Sequence, residues 1–400
     1  MTRCPGGETA AGTAGTAGPG RIPWRLQAVA FVSTLDRFSM APMLVAMAHG
    51  LGVPLSATVH AASAYFLAYG LTQPLWAVVA DRLGLVRTMR VALALAAVSA
   101  AASAAADSAL TLGITRGLTG ACFGAAIPAS LVYVGDTVPA ARRQPEIARL
   151  MTGVAAGTAL ASAGAGAVAE FAGWRPAFLV TGAAALLLVP ALRRLPEPPL
   201  VRAGAGVLAP MAALARSGPA RLVLALAFVE GMVLLGVLTL LPAAVEATGA
   251  GASVAGAVTA LYGVAVLGFA RLAGTMAHRV HASRLIALGG TAATGACLLT
   301  ALSRAPAVVL PATVLLGLAW VSMHSSLQTW ATEVLPAARA TVVSGFAASL
   351  FLGSSTAAVL TGGPAGAGRY AGIFAAAAVL TVPLTFVATV TRARWAGEGR

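Results

Sequence analysis

Twelve apolar stretches of membrane-spanning length, joined by short polar turns, leave this chain one class of fold. They run at about 25–48, 56–79, 88–106, 109–134, 146–169, 174–192, 221–243, 252–273, 284–302, 307–331, 339–362 and 369–391. A helix needs roughly 20 apolar residues to cross the hydrocarbon of a bilayer. Inside lipid every backbone N–H and C=O must be satisfied within the segment, so stretches of this kind become helices. Charged residues make up only 10% of the chain. A soluble domain carries about 25%, and with fewer it would expose too much apolar surface to water. The sequence therefore predicts an all-α polytopic membrane protein.

The chain also repeats itself. Asp136-Thr-Val-Pro139-Ala-Ala-Arg142 returns 197 positions later as Glu333-Val-Leu-Pro336-Ala-Ala-Arg339. At the same offset Tyr65 falls on Tyr262, Arg82 on Arg279, Arg87 on Arg284 and Asp81 on His278. The offset is half the chain, which predicts two pseudo-symmetric six-helix bundles. Their expected limits are 25–192 and 221–392, joined by a Pro- and Gly-rich connector at 193–220. Residues 1–24 read as a disordered tail and 393–400 as a second short tail.

A net charge of +14 invites a nucleic-acid reading, but the distribution of charge opposes it. All 26 basic residues are arginine, and 21 of them fall in the N-terminal tail, the even-numbered turns and the C-terminal end. Arg175, Arg304 and Arg369 alone lie on the other side, while Arg37 and Arg116 lie within spans. Cytoplasmic loops carry the arginine excess of membrane proteins, so both termini are expected in the cytoplasm of a plasma-membrane protein. The partners this predicts are the lipid bilayer, whose anionic surface suits these loops, and no nucleic acid. Cys4, Cys122 and Cys297 are scattered, with neither disulfide nor metal spacing. No cofactor, metal set or catalytic motif is expected.

Three motifs point further. Ala77-x-x-x-Asp81-Arg82-x-Gly84-x-x-Arg87 joins the second and third stretches, Arg116-x-x-x-Gly120-x-x-x-Gly124 lies in the fourth, and Gly173-Trp174-Arg175-x-x-Phe178 opens the sixth. Together they resemble the signature motifs of the major facilitator superfamily, and the resemblance covers residues 25–392. It implies the twelve-helix fold of that superfamily and transport by alternating access. The branch it most resembles is the drug/proton antiporters. One departure is that Gly153-x-x-x-Gly157 in helix five lacks the central proline of the exporter motif. The resemblance also implies that Arg116 couples protons to substrate near the acid of helix one. Asp81, Arg82, Gly84, Asp136 and Arg142 then form a cytoplasmic gate whose ion pairs break on opening.

The residues carry their own argument. Asp36 and Glu230 sit mid-membrane, where an ionisable group is costly and marks function by default. Glu230 maps to position 33 of the first half, one turn from Asp36. A proton carrier needs carboxylates whose surroundings alternate between wet and dry, so Asp36, Arg116 and Glu230 are the candidates for proton coupling. Arg37 lies about 100° around the helix from Asp36 and need not share its face. Met40, Met43 and Met47 follow Asp36 on one stripe of an unbroken helix and could line an adaptable apolar site. Trp320, His324 and Gln328 form a second lining stripe, and His324 could bond substrate or Glu230.

These features predict a secondary transporter of small molecules and protons, functional as a monomer and not an enzyme. The leading expectation is proton-coupled export of drug-like or secondary-metabolite molecules. The alternative is a sugar or metabolite permease, although sugar sites favour Asn and this chain contains none. A non-transporting sensor is disfavoured because no extramembrane domain is present to carry a signal.

Overall fold

Proline, glycine and buried hydroxyls decide where the helices of this chain bend and how closely they approach. The computed structural model describes residues 24–199, 208–276 and 280–395. The expected tail up to residue 23, the connector at 200–207, the repeat positions His278 and Arg279, and residues 396–400 lie outside the described residues.

Twelve long helical segments follow one another: α1 Trp24–Leu51, α2 Leu55–Leu83, α3 Leu85–Ala104, α4 Ala109–Thr137, α5 Ala140–Ala172 and α6 Arg175–Leu192, then α7 Gly218–Glu246, α8 Ala252–Met276, α9 Ala282–Leu302, α10 Pro306–Glu333, α11 Pro336–Gly366 and α12 Tyr370–Arg394. Eleven of them are long and apolar enough to cross a membrane, so this is a multi-pass membrane protein. The exception is α2, 29 residues long but punctuated by His60, Ser63, Tyr65, Tyr69, Thr72 and Gln73. The Pro- and Gly-rich connector contains a short helix at Leu208–Arg216.

The same helix pairings occur in both halves. In the first, α1 packs on α5, α2 on α4, and α3 on α6; in the second, α7 packs on α11, α8 on α10, and α9 on α12. The halves meet where α2 packs on α11 and α5 on α8. That seam explains the polarity of α2, because Ser63 hydrogen-bonds Ser355 of α11 at 2.7 Å and the His60 ring lies against Gly362.

Small residues set the closest approaches, as expected where van der Waals packing replaces a hydrophobic driving force. A Cβ on Gly120 of α4 would strike the Tyr65 carbonyl of α2, and one on Gly124 would lie 2.8 Å from the Tyr69 carbonyl. In the second half a Cβ on Gly231 of α7 would strike the Leu350 carbonyl of α11, and one on Gly353 that of Phe228.

Several spans are not continuous α-helix; α4, for one, is interrupted at Gly124–Ala125. In α1 the helix stops at Ser39, a 3-10 turn carries Pro42, and the helix resumes at Leu44. Both α7 and α10 contain a five-residue π turn, at Gly231–Leu235 and Trp320–His324. Such turns shift the phase of every side chain beyond them and recur at functional sites.

Gly120→Val is expected to cost about 1–3 kcal/mol by overpacking the α2–α4 contact. Gly164→Val, at a position with open space around it, is expected to be near neutral. Thermal unfolding of both variants in detergent checks the difference.

Candidate functional site

Asp36 and Arg116 meet across the first half. Arg116 of α4 donates from Nη1 to Asp36 Oδ1 at 3.1 Å and from Nη2 to Oδ2 at 2.8 Å. Both side chains are fully buried. Thr181 of α6 donates a third bond to Asp36 Oδ1 at 2.9 Å. The guanidinium lies 4.7 Å from the Tyr65 ring and 4.4 Å from the Phe178 ring. A bidentate, ring-enclosed pair of this kind is the arrangement in which arginine is most strongly held.

The second half has an equivalent pair on equivalent helices. Glu230 of α7 faces His324 of α10, with Oε2 3.2 Å from Nδ1. Its other oxygen, Oε1, is buried and takes no hydrogen bond among the described residues. His324 stacks on Trp320 at 3.8 Å and 19°, and Phe346 of α11 stands 5.7 Å away. The π turn of α7 begins directly after Glu230, and that of α10 ends at His324. Of the repeat-related tyrosines, Tyr65 lies over Arg116, and Tyr262 is buried in α8.

Arg37 points away from Asp36. Its guanidinium lies 4.9, 5.4 and 5.6 Å from the rings of Phe38, Tyr69 and Phe351, and Nη1 stands 3.5 Å from the Tyr69 hydroxyl. With Met40, Phe66 and Leu238 it lines a cavity between the halves of about 10 Å³, room for one water.

The other lining candidates separate. Met40 lines that cavity, but Met43 and Met47 are buried in helix packing. The stripe assumed an unbroken helix, and the 3-10 turn at Ala41–Met43 rotates the later methionines out of phase. Gln328, beyond the π turn of α10, is exposed while His324 is buried.

The two ends of the molecule differ. At the end opposite Trp24 and Trp395 the halves are joined by Glu170 of α5, which accepts from the Ser253 backbone N–H of α8 at 2.7 Å, and nearer mid-span Phe66 stacks on Phe351 at 6.2 Å. At the end carrying the arginine-rich turns, Asp81, Arg82, Asp136 and Arg142 are exposed and form no ion pair among the described residues. This conformer thus does not join the expected gate residues. Gly84 is buried with φ +94°, and the Glu197 carboxylate occupies the space a Cβ would need. Glu197 accepts from the backbone N–H groups of Val86 and Arg87 at 2.9 and 3.1 Å, capping α3.

The sequence reading missed Thr181 and Glu197. Thr181 carried no signal, being one hydroxyl in an apolar span. Glu197 is a lone acid among the prolines and arginines of the connector, which was a usable signal.

Residues 27–361 match the profile of the Major Facilitator Superfamily, and the chain belongs to that family. It is therefore a transporter. No curated protein sequence matches it. Solved structures share its fold at low identity. A variant of the nucleoside transporter NupG superposes with a TM-score of 0.77 at 14% identity, covering 92% of this chain and 98% of that one. A D-xylose–proton symporter gives 0.72 at 18%, covering 90% and 95%. A POT family transporter in complex with 5-aminolevulinic acid gives 0.74 at 13%, covering 92% and 97%.

Asp36→Ala and Arg116→Ala are each expected to cost about 3–5 kcal/mol, because each leaves a buried charge unpaired. The double variant is expected to be more stable than the sum of the two losses. A double-mutant cycle of unfolding in detergent measures that coupling.

Proposed function

We propose that this chain is a proton-coupled secondary transporter in which Glu230 with His324 carries the proton. The observation that supports this reading is the contrast between the two acids. Asp36 has both oxygens engaged by Arg116 and one shared with Thr181. Glu230 has one oxygen on His324 and one buried oxygen free. A buried carboxylate with a free oxygen beside a histidine can gain and lose a proton without dismantling an ion pair. Asp36 and Arg116 then couple that event to movement by tying α1, α4 and α6 into one body.

Alternating access works here between two six-helix bundles, 25–192 and 221–392, rocking about the α2–α11 and α5–α8 seam. With both termini in the cytoplasm of the plasma membrane, as the arginine distribution supports, the joined end is external and this conformer faces inward. Asp81, Arg82, Asp136 and Arg142 re-form the inner latch when the transporter faces out. A single chain suffices, since the acids, their partners and the cavity all come from one copy.

The preferred cargo is a drug-like or secondary-metabolite molecule, exported in exchange for protons. Support comes from the cavity wall, where Phe38, Met40, Phe66 and Leu238 offer adaptable apolar surface. A metabolite permease is the second reading, favoured by the charged Arg37 in the same wall.

The test uses reconstituted vesicles with an imposed pH gradient and a panel of candidate substrates. Glu230→Gln is expected to abolish gradient-driven movement while leaving substrate exchange without a gradient. Unchanged gradient-driven transport in Glu230→Gln contradicts the proton assignment. The gradient polarity that drives accumulation separates export from uptake.

A further inference from the structure

The acids and bases inside the spans do not balance, and the imbalance falls on the cavity wall. Asp36 is taken by Arg116 and Thr181, and Glu230 faces His324. Arg37 is left, a second intramembrane cation with no carboxylate at ion-pair distance among the described residues. Its Nη1 reaches only the Tyr69 hydroxyl, at 3.5 Å, and its buried Nε has no acceptor.

The rings around Arg37 do not answer its need. Phe38, Tyr69 and Phe351 attract the face of the guanidinium. Its five N–H donors point outward in the plane of the group and require acceptors there. A cation so placed within a bilayer is costly and persists where something compensates it. The compensating group is not supplied by the described part of the protein, and the cavity that Arg37 lines, room for one water in this conformer, lies between the halves, where their parting would admit a ligand.

We propose that Arg37 is the anchor for an anionic group on the cargo, so that the transported molecules are organic anions carrying a carboxylate on a flat apolar body. The planar fork of arginine matches a carboxylate in two parallel hydrogen bonds, a fit that lysine does not offer. Phe38, Phe66 and Phe351 supply faces for the apolar body. Phe351 belongs to the second half and Arg37 to the first, so an anion held here sits on the seam that must part during transport. This deepens the transport reading above and rests on it for the cavity's role, but it does not depend on which acid carries the proton.

The experiment measures binding to the purified full-length protein in neutral detergent, with no gradient, so a failure of proton coupling leaves its result untouched. The probes are 1-naphthoate, its neutral isostere 1-naphthamide, and acetate as a bare carboxylate. Wild type is expected to bind 1-naphthoate more tightly than either comparison probe. Arg37→Gln is expected to weaken 1-naphthoate roughly 10- to 100-fold, the range for a lost charge-assisted pair, with 1-naphthamide unchanged. Arg37→Lys, which keeps the charge, is expected to retain part of the preference and guards against a folding defect in the glutamine variant. Phe351→Leu is expected to weaken both aromatic probes while leaving their ratio intact. Equal binding of the two naphthyl probes by wild type, binding of neither, or an unchanged preference in Arg37→Gln overturns the proposal.

Discussion

Placing an ionised side chain in hydrocarbon is so unfavourable that a buried charge dictates its own surroundings. The Asp36–Arg116 pair is where this constraint acts most strongly. Arg116 of α4 reaches Asp36 of α1, and the missing side chains at Gly120 and Gly124 let α4 pack closely on α2, the helix that carries Tyr65. Tyr65 and Phe178 close over the guanidinium, and Thr181 brings α6 to the same carboxylate. The Gly173-Trp174-Arg175-x-x-Phe178 motif has its physical reason here. Trp174 packs on Phe178, Arg175 donates to the Ala106 carbonyl at 3.1 Å, and the corner so fixed presents Phe178 to Arg116.

The second half repeats the geometry with weaker partners. An acid on its first helix again meets a base on its fourth, but histidine replaces arginine and one carboxylate oxygen is left free. A saturated pair resists change, whereas an unsaturated one can change its proton count. On the proposed reading, divergence of one pair divides the labour, one half holding shape and the other exchanging protons. The π turns of α7 and α10 fit this division, because locally irregular helix lets Glu230 and His324 shift without unwinding a span.

Much of this was legible in the sequence because bilayers impose simple rules. Span length and arginine distribution follow from thickness and topology, so the long helices were readable within a few residues. Asp36, Arg116 and Glu230 stood out as intramembrane charges, and His324 was offered as a partner for either substrate or Glu230. What stayed hidden depends on three-dimensional phase. Met43 and Met47 lie in helix packing beyond the 3-10 turn that carries Pro42, and Gln328 is exposed although His324, one α-helical turn earlier, is buried. Thr181 was invisible as one threonine among many. Arg37 was legible as a charge but not as an unpaired one, since pairing is decided by where every other acid points. The expected gate residues Asp81, Arg82, Asp136 and Arg142 stand exposed and form no ion pair with one another among the described residues.

The division of labour between the two acids is tested most directly by infrared difference spectroscopy of the reconstituted protein. A step from high to low pH should produce a carboxylic-acid carbonyl band from a buried group. The account predicts that this band is lost in Glu230→Gln and survives in Asp36→Asn, since Asp36 remains an ion pair throughout. A band that survives in Glu230→Gln and disappears in Asp36→Asn would contradict it.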